Sequence, residues 1–200
     1  DKELLPTHST TPPLTTGELT DGEFQYILHE PNVAVLDYAQ YKTEADENFC
    51  PLGEILKIDR KVRDRVGIEH RGGEMLQPWF SKSKYTENYG KITVRYPFNV
   101  DEIPDGDVYL AAERPETIKY FCNGTALQYT SKADWWVDNA FIKMPIPKTA
   151  LKLGENEITA TVDFKRTTNL EAVYLLGDFG VSYDIDQTVE LLDELSLPHI

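Results

Sequence analysis

Short runs of alternating apolar and polar residues fill the chain beyond Gly90, and turn residues separate them. The runs are KITVRYPFNV, DVYLAAE, TIKYFC, TALQY, FIKMPIP, NEITATVDF, LEAVYLLGDFGV and TVELL. Alternation with a period of two gives a strand one face for the core and one face for solvent. Several short strands at regular intervals are typical of a sandwich or a barrel, so the sequence predicts a mainly β fold.

Asn123-Gly124 stands between TIKYFC and TALQY and is the clearest hairpin signal in the chain. Turns are also predicted at Pro104-Asp105-Gly106 and at Leu153-Gly154-Glu155-Asn156. Asn123-Gly124-Thr125 fits the pattern of an N-glycosylation acceptor. The turn alone accounts for this Asn-Gly pair, and we prefer that interpretation.

Between Pro51 and Gly67 the apolar spacing becomes helical. Ile55, Ile58, Val62 and Val66 recur on one side, and Gly67 stands where a helix would end. The segment therefore predicts one short α-helix. We interpret its basic residues as a solvated face rather than a binding site: Lys57, Arg60, Lys61, Arg63 and Arg65.

Upstream of the helix, residues 23–42 predict two strands of a hairpin. Tyr26 and Leu28 alternate with their neighbours, Val33 and Val35 do the same, and Glu30-Pro31-Asn32 supplies a turn. Residues 1–19 are rich in proline and threonine, which is typical of a linker. We thus divide the chain into a linker (1–19), a hairpin, helix and loop packed on the sandwich (20–90), and the β-sandwich itself (91–200).

Thirty-four acidic and twenty basic residues give a formal charge of −14. This charge repels nucleic acid backbones and anionic membrane surfaces, so neither is expected as a partner. A neutral sugar is indifferent to it. The chain has no apolar run of about 18 residues, the length that a membrane-spanning helix needs.

Cys50 and Cys122 lack the close spacing of a zinc site and could be two unrelated thiols or one disulfide. No HExxH, GxSxG, P-loop or GxGxxG pattern occurs, which disfavours the corresponding hydrolases and nucleotide-binding proteins. A glycosidase carboxylate pair is defined by distance in space, so the sequence leaves a self-contained glycosidase open as the least favoured alternative.

The aromatic residues suggest a ligand. Sugars stack their C–H faces on indole and phenol rings, while carboxylates and amides bind their hydroxyls. The segment 134–139 combines both kinds of group and gives four candidate carbohydrate-binding residues: Trp135, Trp136, Asp138 and Asn139. In an extended strand the two indoles face opposite sides, so one can enter the core while the other faces solvent. The alternative is that both are packed.

A second cluster, RGGEMLQPW, provides the reserve candidates Arg71, Glu74 and Trp79, although an ordered loop anchored by the indole would explain the same residues. Glu113, Glu171 and Asp178 flank predicted strands. Together with backbone carbonyls they are weak candidates for a structural calcium ion, because Ca²⁺ prefers oxygen ligands. No other cofactor is expected.

Six segments, in this order, resemble the C-terminal region of large bacterial glycoside hydrolases: PNVAVLDYAQYK, VRDRVGIEHRGGEMLQPW, AAERPETIKYFCNGT, WWVDNAFIKMPIP, KLGENEITATVDF and LEAVYLLGDFGV. The group is the α-L-rhamnosidase-like proteins of glycoside hydrolase family 106, related to the sugar-binding jelly-roll domain of family 2 enzymes. The resemblance implies a galactose-binding-like jelly-roll β-sandwich behind a catalytic barrel. The catalytic carboxylates belong to that barrel, so none is carried over to this chain.

The resemblance implies a non-catalytic accessory domain that binds carbohydrate or braces the catalytic domain of the parent chain. A structural or protein-interaction sandwich without a ligand is the alternative. The compartment stays open between bacterial cytoplasm, periplasm and secretion. The chain stops earlier than its relatives, after Leu195-Ser196-Leu197-Pro198-His199-Ile200. The expectation is a sandwich without its last strand and a homodimer formed through the open edge.

Overall fold

The computed structural model describes residues 29–71, 86–130, 134–183 and 189–192. The described residues form thirteen strands, one α-helix and a 3₁₀ turn at Lys148–Ala150. The elements are β1 (Asn32–Leu36), β2 (Tyr38–Thr43), β3 (Gly53–Glu54), α1 (Ile55–Val66), β4 (Lys91–Val100), β5 (Val108–Glu113), β6 (Lys119–Cys122), β7 (Thr125–Ala126), β8 (Trp135–Trp136), β9 (Asp138–Ile146), β10 (Gly154–Asp163), β11 (Val173–Gly177), β12 (Gly180–Tyr183) and β13 (Val189–Leu192).

The strands form two sheets, which confirms the predicted β-sandwich. The five-stranded sheet has the order β1-β11-β5-β9-β8, and all its neighbours are antiparallel. The second sheet has the order β12-β13-β4-β10-β6-β7, with β2 and β3 attached beside β4. Two strands share one side of β4: β2 pairs with Ile92–Arg95, and β13 pairs in parallel with Asn99 and Val100.

The core lies between the two sheets and receives apolar side chains from both. On the five-stranded sheet, neighbouring strands contribute a row of buried residues: Ala34, Leu175, Leu110 and Met144. On the second sheet, a matching row runs through Tyr96, Ile158 and Cys122. Because side chains alternate along a strand, the residues directly before and after these buried ones in each strand point to the outer faces of the sandwich.

The predicted helix is confirmed, and it ends where expected. Ile55, Ile58 and Val62 are buried on one side of α1. Gly67 follows the helix with φ 73°, and its N–H donates to the carbonyl of Asp64 at 3.2 Å. A left-handed residue at this position is favourable for glycine, which has no Cβ to clash with the backbone.

The prediction of a solvated basic face is wrong for Arg63. Its side chain is only 2% exposed and forms an ion pair with Asp59, one helical turn earlier, at 2.8 Å. The guanidinium also lies 5.6 Å from the centroid of the Phe164 ring. Five donors and a long apolar stem let an arginine be buried when acceptors surround it, and apolar spacing does not reveal those acceptors.

The segment 33–42 crosses from one sheet to the other. β1 pairs with β11, whereas β2 pairs with β4, and Asp37 lies between them. Each of these two strands is thus hydrogen-bonded into one of the two sheets. The first strand of the predicted hairpin and the predicted linker lie outside the described residues. The division of the chain at residues 90 and 91 stays a prediction, and β4 begins at Lys91.

The predicted hairpin at Asn123-Gly124 is confirmed. β6 pairs with β7 across this turn, where both residues have positive φ, 47° and 80°. The Asn123 side-chain nitrogen donates to the carbonyl of Ala150 at 2.8 Å and to Oδ1 of Asn156 at 2.6 Å. This nitrogen, the atom that would carry a glycan, is thus occupied by two internal hydrogen bonds, which supports the structural interpretation of the Asn-Gly-Thr pattern.

The two cysteines are not paired. Cys50 is partly buried and Cys122 is buried in the core. Burial, together with the charge of Glu157, raises the pKa of Cys122 to about 11. No helix in the described part of the chain is long and apolar enough to cross a membrane. The homodimer through an open edge stays a prediction.

Candidate aromatic and carboxylate site

The β8-β9 hairpin places the two tryptophans outside the core. Trp135 is 53% exposed, whereas Trp136 is partly buried. The chain reverses at Val137, which has φ 60° and is 74% exposed. A β-branched residue rarely adopts this backbone conformation, so the turn is strained. The hairpin is closed by an ion pair of Lys143 with Asp134 at 2.6 Å.

Three aromatic rings meet on the outer face of the five-stranded sheet. The centroid of Trp136 lies 5.2 Å from that of Tyr174 and 6.2 Å from that of Phe141. The Phe141 and Tyr174 rings meet edge to face at 5.4 Å. Offset and edge contacts of this kind are the favourable arrangements for aromatic pairs. The rings come from β8, β9 and β11, so sheet pairing brings together residues that are distant in sequence.

Glu113 lies on the strand next to these rings. Glu113 lies opposite Phe141 in the pairing of β5 with β9, and Tyr174 lies opposite Ala111 on the same β5 strand. Burial raises the pKa of Glu113, and the charges of Glu171 and Asp138 add to the increase. Burial and then the charges of Glu171 and Glu113 likewise raise the pKa of Tyr174. The charge of Glu171 thus acts on both Glu113 and Tyr174, whereas that of Asp138 acts on Glu113.

A guanidinium completes the group. Arg71 forms an ion pair with Glu171, and its Nε donates to Asp59 at 3.1 Å. We call the seven residues Trp136, Phe141, Tyr174, Glu113, Asp138, Glu171 and Arg71 the aromatic-carboxylate cluster. Among the described residues, no cation forms an ion pair with Glu113. Its carboxylate oxygens can therefore accept hydrogen bonds from a ligand.

The structure brings together some of the predicted site residues and separates others. Trp136 meets Phe141 and Tyr174, and Arg71 pairs with Glu171, whereas Trp135 is exposed on the hairpin. Asp138 and Asn139 are both exposed at the start of β9, and the charge of Asp138 acts on Glu113. Glu74 and Trp79 lie outside the described residues.

The calcium candidates are also divided. Glu113 and Glu171 lie in the cluster, but Asp178 follows the far end of β11 beside Gly106. In the described ranges, no group of three or more potential metal ligands comes together. A calcium ion held by Glu113 and Glu171 with carbonyl oxygens stays a prediction, whereas Asp178 is too far along the strand to join them.

Sequence reasoning missed Phe141 and Tyr174. Tyr174 stands between Val173 and Leu175 in a strand, so alternation could have placed it on the outer face. Nothing in the sequence indicates that this face also carries Phe141 and Trp136, because the pairing of β5 with both β9 and β11 decides that.

We expect replacement of Glu113 by glutamine to stabilise the protein at pH 7 but not at pH 3. Folding raises the pKa of Glu113. Such a carboxyl contributes fully to the stability of the folded state below its pKa in the unfolded state, and this stability is lost as the pH rises through its pKa in the folded state. Glutamine removes the negative charge of Glu113, which burial and the charges of Glu171 and Asp138 make unfavourable in the folded state. Thermal unfolding at both pH values measures the effect. An equal change at both would contradict this account of Glu113.

Comparison with known proteins finds likeness only among solved structures. The sequence matches no protein family model, and no curated protein is detectably similar. β-D-Glucuronidase from Dictyoglomus thermophilum is 13% identical with a TM-score of 0.39, covering 81% of this chain and 32% of the enzyme. β-D-Mannosidase from Dictyoglomus thermophilum is 18% identical with a TM-score of 0.38, covering 66% and 15%. α-L-Rhamnosidase from Aspergillus terreus is 11% identical with a TM-score of 0.26, covering 82% and 24%.

These structural neighbours are glycoside hydrolases, and this chain spans about a third of the first enzyme and less of the other two. At such identities and TM-scores, the likeness assigns neither a family nor an activity to the chain.

Proposed function

We propose that this chain is a non-catalytic accessory domain of a glycoside hydrolase and that it binds carbohydrate at the aromatic-carboxylate cluster. The observation that carries the proposal is the meeting of three rings on the outer face of the five-stranded sheet, beside Glu113, on which the charges of Glu171 and Asp138 also act. This combination suits a sugar, which presents C–H groups on its faces and hydroxyls at its edges. The resemblance of the sequence to glycoside hydrolase C-terminal regions supports the same function.

Each part of the cluster has a role in this proposal. The partly buried rings offer apolar surface that is held in place by the contacts among them. Glu113 accepts a hydrogen bond from a sugar hydroxyl, since it forms no ion pair in the described part of the chain. Asp138 contributes a second acceptor, although its Oδ1 already accepts the Ala140 N–H at 2.8 Å. Arg71 is bound to Asp59 and Glu171, so it orients a carboxylate instead of meeting the ligand directly.

Calorimetric titration of the purified chain with rhamnose, galactose and pectic oligosaccharides tests the proposal, with and without calcium. We expect saturable binding that Trp136→Ala weakens about tenfold, because an aromatic contact of about 1.5 kcal/mol corresponds to that factor. Phe121→Ala is the matched control, since Phe121 is a partly buried ring on the outer face of the other sheet. A folded sample that binds none of these glycans would refute carbohydrate binding.

A second candidate function is bracing of the catalytic domain of the parent chain. The exposed apolar tip of the β8-β9 hairpin, Trp135 and Val137, favours it. In that case the tip would pack against the other domain, and Trp135→Asp would weaken association between this chain and the separately produced remainder of its parent. Unchanged association, measured by sedimentation, would exclude the tip as the contact.

A further inference from the structure

We propose that Asp59 and Arg63, buried in helix α1, are positioning residues that hold Glu171 and Arg71 in the aromatic-carboxylate cluster. This inference rests on the proposed function for its meaning, because the cluster is where the ligand would bind. Neither residue reaches the cluster rings. Both hold the segment that follows Phe164 and leads into β11, and Asp59 also contacts Arg71 of the cluster.

The contacts of Asp59 point to two different parts of the chain. Asp59 is 1% exposed, and its Oδ1 accepts the backbone N–H of Leu170 at 3.1 Å. Its Oδ2 accepts Nε of Arg63 at 2.8 Å and Nε of Arg71 at 3.1 Å. One carboxylate thus fixes the residue next to Glu171 and also the arginine that pairs with Glu171.

Arg63 holds the same segment from its other end. Its Nη2 donates to the carbonyl of Thr168 at 2.6 Å, and its Nη1 donates to that of Arg166 at 3.3 Å. These partners are more than a hundred positions away in the chain. Two side chains of one helix therefore determine the path of residues 166–170, immediately before Glu171.

Glu171 is further fixed by its own backbone. Its carbonyl accepts the hydroxyl of Tyr96 at 2.7 Å, which anchors the residue to β4. Arg71 donates through Nη2 to the carbonyl of Leu170 at 3.3 Å. The Asp59 network consequently sets where the Glu171 carboxylate lies relative to Glu113 and the three rings.

A buried ionic network is a poor way to gain stability, because removing charges from water costs nearly as much as their attraction returns. Apolar residues of similar volume would fill the space between helix and loop about as well. They could not hold an arginine and a backbone N–H in fixed positions. The network is therefore better explained by the geometry that it imposes on the cluster than by stability.

The test replaces the buried pair with apolar residues, Asp59→Leu with Arg63→Met, which leaves the net charge unchanged. The control removes the exposed pair of Lys57 with Glu54 on the same helix, through Lys57→Met with Glu54→Gln. Circular dichroism checks the fold of both. NMR titration then measures the pKa of Glu113, and calorimetry measures the affinity for the sugar that the wild type binds best.

We expect the buried-pair variant to fold and the pKa of Glu113 to change, because Glu171, whose charge raises it, and Arg71, whose charge lowers it, are both released from their positions. Sugar affinity is expected to drop about tenfold or more, the effect of losing one hydrogen bond to a charged group. The control should match the wild type in both measurements. Wild-type pKa and wild-type affinity in the folded buried-pair variant would overturn the inference.

Two further arms keep the test decisive. If the apolar pair does not fold, Asp59→Asn with Arg63→Gln removes both charges and keeps polar side chains at the two positions, and the same measurements apply. If the wild type binds no sugar, the proposed function fails by itself. The pKa of Glu113 in the variants then decides whether Asp59 and Arg63 position Glu171.

Discussion

Replacing Asp59 by alanine is expected to lower the free energy of unfolding by about 3–5 kcal/mol, the typical cost of leaving a buried partner charge uncompensated. Arg63 is 2% exposed and would lose its only carboxylate among the described residues, while the N–H of Leu170 would lose its acceptor. Urea unfolding followed by circular dichroism measures the change.

Asp64→Ala is the matched control for Asp59→Ala. Asp64 lies on the same helix, and its carboxylate pairs with His70 at 2.5 Å on the surface. An exposed pair of this kind contributes less than about 1 kcal/mol. Similar losses for the two variants would show that burial of Asp59 does not have the energetic importance assigned to it.

Replacing Phe179 by alanine is expected to cost about 3–5 kcal/mol, because the ring is fully buried and its removal leaves a cavity. Phe179 packs closely on Gly177, where an added Cβ would come within 2.9 Å of the ring. This contact explains the Gly-Asp-Phe-Gly sequence at the end of β11: only glycine leaves space for the phenylalanine two positions later.

Two companion variants check the Phe179 result. Gly177→Ala should destabilise by about 1–3 kcal/mol through overpacking, since its Cβ would also lie 2.9 Å from the carbonyl of Asp107. Phe121→Ala removes a ring of the same size from an outer face and should cost clearly less than Phe179→Ala. Denaturant unfolding of all three gives the comparison. Equal losses for Phe179 and Phe121 would contradict the assignment of Phe179 to the core.

Much of the secondary structure followed from local pattern. Alternation predicted the strands beyond Gly90, and β4 and β10 occupy nearly the predicted residues. Asn123-Gly124 marked a turn because few other residues accept positive φ. Such features are determined by residues close together in the chain, so they can be predicted from one sequence.

The errors arose where distant contacts decide the outcome. Asp59 and Arg63 lie one turn apart beside the buried arc of α1, a spacing that could have suggested an ion pair. The acceptors that permit its burial come from residues 166–170 and are not visible locally. Asp37 lies inside the segment 33–42 that was predicted as one strand, and only the pairings of β1 and β2 show that the chain changes sheet there.

The candidate site was predictable in part. Composition singled out Trp136 and Asp138, because an aromatic residue beside a carboxylate is a common feature of sugar sites. Their association with Tyr174, Glu113 and Arg71 depends on strand order and register, which composition does not contain.

The pairing of β1 with β11 also has a consequence for how the protein folds. Asn32 donates a hydrogen bond to the carbonyl of Phe179, 147 positions later, so the first described strand meets its neighbour only after most of the chain is available. Closing such a long loop before gaining its contacts slows folding, and folds dominated by distant pairings form over milliseconds to seconds. During synthesis, β1 remains without its partner until β11 has left the ribosome.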